Sequence, residues 1–140
     1  MAEDVAAANV NRSYQLAASS IAIFTFLLFF LYPKHIAGQV DAYSYQATLI
    51  AMGVATFSFA FSSFYYYGAS LGGGRIDDAE RARYSRRGDR LWLIGCVLLF
   101  LAPSLILFTV RLLVVAAAWF GLWLVYVSFV LRNFSRIRAG

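Results

Sequence analysis

Charge, and the side chains that carry chemistry, are what this chain has least of. Only 14% of its 140 residues are charged, and it has one histidine, His35, and one cysteine, Cys96. A single histidine excludes bis-histidine haem ligation within one chain, and a single cysteine excludes an internal disulfide. No Asp or Glu occurs between Asp41 and Asp77 or after Asp89. The apolar stretches therefore lack the buried carboxylate expected of a proton-coupled carrier, and none has the regularly spaced arginines of a voltage sensor. Hydrolysis, phosphoryl transfer and metal chemistry need carboxylate pairs, His/Cys clusters or a nucleophile beside a base, and these stretches hold none. The GGGR at 72–75 has no Lys-Ser/Thr after it, so its glycines read as a flexible link and not as a phosphate loop. The expectation is a protein that is not an enzyme and carries no metal and no cofactor. His35 reads as a solvated histidine at an interface, since a metal there would need Asp41 or another subunit. Cys96, within an apolar run, reads as a small packing residue.

What the chain does have is apolar surface. With 61% hydrophobic residues and a mean hydropathy of +0.68, it has too little polar surface to cover a soluble domain, so lipid is the expected solvent. A hydrocarbon core about 30 Å thick needs about 20 residues of helix. Four runs meet that length, at about 16–32, 45–69, 91–109 and 112–131, leaving a charged loop at 70–90. The chain starts MAEDV and has no small-residue cleavage site after its first apolar run, so no cleaved signal peptide is expected. The fold class is an all-α integral membrane protein with four transmembrane helices forming one domain.

Arginine sets the expected orientation. The 70–90 loop holds Arg75, Arg81, Arg83, Arg86, Arg87 and Arg90, and Arg12, Arg132, Arg136 and Arg138 fall on the same side of a four-span bundle. Only Lys34 and Arg111 fall on the other, so positive charge puts both termini and the loop in the cytoplasm. Arg111 lies in LFTVRLLVV, which has no glycine, proline or polar cluster to mark a turn. Two readings compete. Residues 91–131 would span about 62 Å at 1.5 Å per residue, twice the hydrocarbon thickness, which fits a hairpin with Arg111 at its tip and a kink at Pro103. Alternatively the helix breaks at Pro103, and Arg111 is a buried functional charge.

The loop segment RIDDAERARYSRRGDR, residues 75–90, holds ten of the nineteen charged residues. Asp77 and Glu80 have the spacing of a capping box, with acids in the first turn and arginines later, as the helix dipole favours. A short amphipathic cytoplasmic helix over 78–87 is expected, ended or bent at Gly88. Its arginines, Arg81, Arg83, Arg86, Arg87 and Arg90, read either as contacts to anionic lipid headgroups or an acidic partner, or as a topology anchor. The acids reduce the net charge of the segment to +2. Nucleic acid is not expected as a partner, because its recognition calls for unopposed basic charge.

One span is patterned. Ser44, Thr48, Ala51, Ala55, Ser58 and Ser62 recur at steps of four and three, a stripe of small and hydroxylated residues down one face. In lipid, small residues let helices approach closely and hydroxyls bond across the contact, so the stripe reads as a helix-packing seam. The sharper alternative is a pore lined by several copies of this span, with Asp41 ringing its outer mouth and favouring cations. Ala117 and Gly121 form a second small-xxx-small pair. Tyr65, Tyr66, Tyr67 and Trp92 on one side, and Tyr32, Tyr43 and Tyr45 on the other, read as interfacial belts. The resulting functional expectation is an oligomeric assembly or accessory subunit of a membrane complex, with a homo-oligomeric, cation-selective ion channel as the alternative. The expected partners are the lipid bilayer, its anionic headgroups, and further copies or another membrane protein. The expected location is a bacterial inner membrane.

Overall fold

Apolar runs that must satisfy their backbone N–H and C=O groups without water fold as helices. The computed structural model describes residues 2–70 and 77–139, with side chains described over 7–70 and 77–132. Within them the elements are α1 (Ala2–Phe26), a π-helical turn (Leu27–Leu31), α2 (Tyr32–Ile36), α3 (Ala42–Ser70), α4 (Asp78–Thr109) and α5 (Leu113–Ala139). Four helical stretches are long and apolar enough to cross a membrane: Ala7–Ile36, Ala42–Ser70, Asp78–Thr109 and Leu113–Arg132. The glycine link at 72–74 and Arg75 lie outside the described residues, as do the side chains of Arg136 and Arg138.

The charged segment differs from expectation. It is not a separate amphipathic helix; α4 runs unbroken from Asp78 through Gly88 to Thr109. At 32 residues it is about 48 Å long, so some 18 Å exceeds a hydrocarbon core. Asp77 has the extended backbone of an N-cap, and its carbonyl accepts the Arg81 N–H, but its side chain makes no capping bond. Gly88 does not end the helix because it serves as a contact: it is buried beneath the Tyr66 ring on α3. Pro103 does not end it either.

The turns lie at the opposite end. Pro33 cannot donate a helical bond and its ring crowds the carbonyl four residues back, that of Phe29, which lies within the wide π turn. Gly38, with φ 68°, then closes α2: its N–H reaches the His35 carbonyl, and the Gln39 N–H reaches that of Lys34. The same pair of bonds closes α4. Arg111 N–H bonds the Phe108 carbonyl at 3.0 Å and Leu112 N–H bonds that of Leu107 at 3.0 Å, the Schellman pattern. Arg111 takes the position glycine usually fills, at φ 62°. The hairpin tip is therefore at Arg111, and the alternative break at Pro103 is not what forms.

Packing follows sevens. Along α3, Tyr45, Met52, Phe59 and Tyr66 alternate with Thr48, Ala55, Ser62 and Ala69, and all eight are buried. Along α4, Gly88, Gly95, Ala102 and Thr109 are seven apart and buried. On α1 and its extension, Ser13, Ser20 and Leu27 form another such row. Seven-residue repeats keep the same faces together along left-handed helix pairs. α3 is the centre, packed on both α1 and α4, while α5 packs chiefly on α4. Accordingly 44% of the most apolar window of the α3 span is buried, against 6% for α5.

Candidate functional site: a polar seam and its two ends

Every residue of the α3 stripe beyond Ser44 is buried inside the single chain; Ser44 itself is half-buried. Thr48, Ala51, Ala55, Ser58 and Ser62 face the bundle, and the outer surface of α3 carries Ile50, Val54, Phe57, Phe61 and Phe64. The polar groups of the seam are used in two ways. Some hydroxyls bond their own helix: Thr48 to the Ser44 carbonyl at 2.6 Å, Ser63 to that of Phe59 at 2.9 Å, Ser20 to that of Leu16 at 2.9 Å. Others cross. Ser62 Oγ donates to the Gly88 carbonyl at 2.9 Å, and the Tyr66 hydroxyl donates to Asp89 Oδ1 at 2.6 Å. Crossing hydrogen bonds in lipid contribute about 0.6 kcal/mol each on average, so they set register more than they hold the bundle.

Close approach is what allows these bonds. A Cβ on Gly95 would lie 2.7 Å from the Phe59 ring, and one on Gly88 would lie 3.0 Å from that of Tyr66. The large residues of α3 thus sit on the missing side chains of α4. Cys96, beside Gly95, is buried in the same cluster as Ala17, Ala55 and Phe59. Tyr45 and Tyr66, expected in interfacial belts, are instead core residues, because each hydroxyl has an internal acceptor; Tyr45 reaches the Leu27 carbonyl at 3.4 Å, at the π turn.

At the hairpin end, Asp41 is a cap. Its Oδ2 accepts the Ser44 N–H at 2.8 Å, and its own N–H donates to the Thr109 carbonyl at 3.1 Å, joining the start of α3 to the last turn of α4. The bonds from Ser44 hold the Asp41 carboxyl below the usual carboxylate range, with the nearby Arg111 charge adding to them. Thr48 and Thr109 hydroxyls approach to 3.4 Å just inside. The signal for this cap was present in the sequence: an aspartate directly before a long apolar helix. His35, expected to be solvated, is half-buried. The turn at Gly38 folds it against Tyr45, ring centroids 4.9 Å apart, with Nδ1 buried and unpartnered among the described residues.

At the arginine end, Arg83, Arg86, Arg87 and Arg90 are exposed and Arg81 is half-buried. Beneath them Asn9, Arg12, Tyr66, Asp89 and Trp92 line a cleft of about 160 Å³ between α1, α3 and α4. Sequence reasoning missed this cluster, since its members lie on three helices that only the register of the seam brings together.

Among the described residues, two side-chain hydrogen bonds join α5 to α4: Ser104 Oγ to the Ala116 carbonyl at 3.0 Å and Trp123 Nε1 to that of Val97 at 2.9 Å. Its other face is open. Ala117 and Gly121 are exposed, and nothing lies within 4 Å of where a Gly121 Cβ would be. Among the described residues no group of three or more His, Cys, Asp or Glu could hold a metal ion. Compared with known protein families, curated proteins and solved structures, the chain matches none.

Proposed function

We propose that this chain is a non-catalytic four-span membrane subunit that assembles through α5, with further copies of itself or with another membrane protein. The observation that carries the reading is the contrast between α3 and α5. The polar and small residues of α3 are consumed within the chain, whereas on α5 Ala117 and Gly121 are exposed and, among the described residues, nothing lies within 4 Å of a Gly121 Cβ. Small residues facing lipid gain little there, since lipid tails pack poorly into a shallow groove that a second helix fills well. In this reading both termini and the arginine end face the cytoplasm, in a bacterial inner membrane, with the arginine side chains at the level of anionic headgroups. A pore lined by copies of α3 is less well supported, because α1 and α4 of the same chain cover the stripe it would present to water.

The test is bismaleimide cross-linking in membranes of a Gly121→Cys variant made in a Cys96→Ala background. Self-assembly predicts a cross-linked dimer from Gly121→Cys and none from Ser58→Cys. A cross-link to a different protein in native membranes supports the heteromeric form. A monomer in both settings overturns the proposal.

A further inference from the structure

The cleft at the arginine end brings an acid and a base from different helices together with an amide and an indole. Asp89 on α4 is half-buried, and the Tyr66 hydroxyl holds its Oδ1 at 2.6 Å, which fixes the carboxylate and leaves Oδ2 without a hydrogen-bond partner among the described residues. Arg12, on α1, lines the same cleft, exposed and not in ion-pair contact with Asp89. Asn9 adds an amide and Trp92 an indole. Opposite charges therefore stand on two walls of a cleft of about 160 Å³ without meeting.

Its depth is set by the fold. Asp89 and Thr109 are twenty residues apart on one helix, about 30 Å, which is the thickness of a hydrocarbon core. With the hairpin end at one membrane face, Asp89 and Trp92 lie at the headgroup level of the other. We propose that this cleft binds a phosphoethanolamine headgroup, its phosphate against Arg12 and its primary ammonium against Asp89 Oδ2. A purely anionic headgroup would gain from Arg12 and be repelled by Asp89. A choline head has no N–H to give the carboxylate. Only a dipole with a donor at its positive end satisfies both walls. The proposal rests on the four-span membrane reading and is independent of assembly through α5.

The test is lipid binding to the purified full chain in detergent, by native mass spectrometry, with phosphatidylethanolamine, phosphatidylcholine and phosphatidylglycerol of matched chains. Phosphatidylethanolamine should bind about tenfold more tightly than the other two, the difference expected of one charge-assisted hydrogen bond. Asp89→Asn, which still accepts from Tyr66, should abolish that preference, and Arg12→Gln, an exposed change, should weaken all three lipids. Free phosphoethanolamine competing as well as the lipid would support the same chemistry with a soluble source. Equal binding of the three lipids to the wild type, or an unchanged preference in Asp89→Asn, overturns the proposal. Since neither variant touches α5, such a failure leaves assembly unaffected and distinguishable.

Discussion

Arg111 shows how a residue can do two jobs at some cost. Its backbone lies at φ 62°, in a left-handed region that costs a non-glycine residue about 1 kcal/mol or more, yet its N–H and that of Leu112 complete the bonds that end α4. Glycine would fill the turn without strain. What arginine adds is charge beside Asp41, at a tip that lies at a membrane face in the proposed topology. Arg111→Gly is thus expected to raise the thermal stability of the purified protein, by about 1 kcal/mol, while Arg111→Val lowers it by at least as much, because a β-branched side chain tolerates positive φ least. Thermal melts of the three proteins in one detergent decide this; a destabilised glycine variant would mean that the charge, and not the backbone, governs the turn. The turn itself was legible only by length: a 41-residue apolar stretch had to fold back near its middle. Its chemistry was not, because the usual glycine is missing.

At the scale of elements, α3 and α4 differ in how openly they state their partners. The α3 stripe stands out in the sequence because serines and threonines are conspicuous among phenylalanines. The matching row on α4, Gly88, Gly95, Ala102 and Thr109, is equally regular, yet Gly88 reads as a helix terminator when nothing says that a tyrosine covers it. A glycine's meaning depends on its neighbour across the contact, which local sequence does not contain. The same holds for Tyr66, placed by habit in an aromatic belt until Asp89 supplies an acceptor. The contact makes a sharp prediction. Gly95→Ala puts a methyl 2.7 Å from the Phe59 ring, which is fully buried and cannot swing aside, so the variant is expected to lose about 1–3 kcal/mol. Gly53→Ala, with nothing within 4 Å of its Cβ, is expected to be neutral or slightly stabilising through helix propensity. Unfolding of the two variants side by side checks it; equal effects would show that helix propensity, not the seam, dominates.

Taken whole, the molecule is asymmetric along its axis. The hairpin end is closed by tight turns and by the bond from Asp41 to Thr109, whereas at the other end α4 continues well past the thickness of a hydrocarbon core with its arginines exposed. That the chain has four spanning-length helices was evident from composition and run length. That the charged segment extends one of them was not, because a capping signal and a glycine made it look self-contained. The difference matters for orientation: arginines on a rigid extension of a span stay within a turn or two of the membrane, where positive charge resists translocation most strongly. Single cysteines in a Cys96→Ala background should therefore label from opposite sides, Gln39→Cys only from outside intact cells and Arg86→Cys only after permeabilisation. Changing Arg83, Arg86, Arg87 and Arg90 together to glutamine removes four of the ten positive charges expected inside, and should yield a mixed population in which Gln39→Cys is partly shielded. If labelling stays one-sided in that variant, orientation is set elsewhere in the chain, by the remaining six positive charges or by the order of the spans, and not by these four exposed side chains.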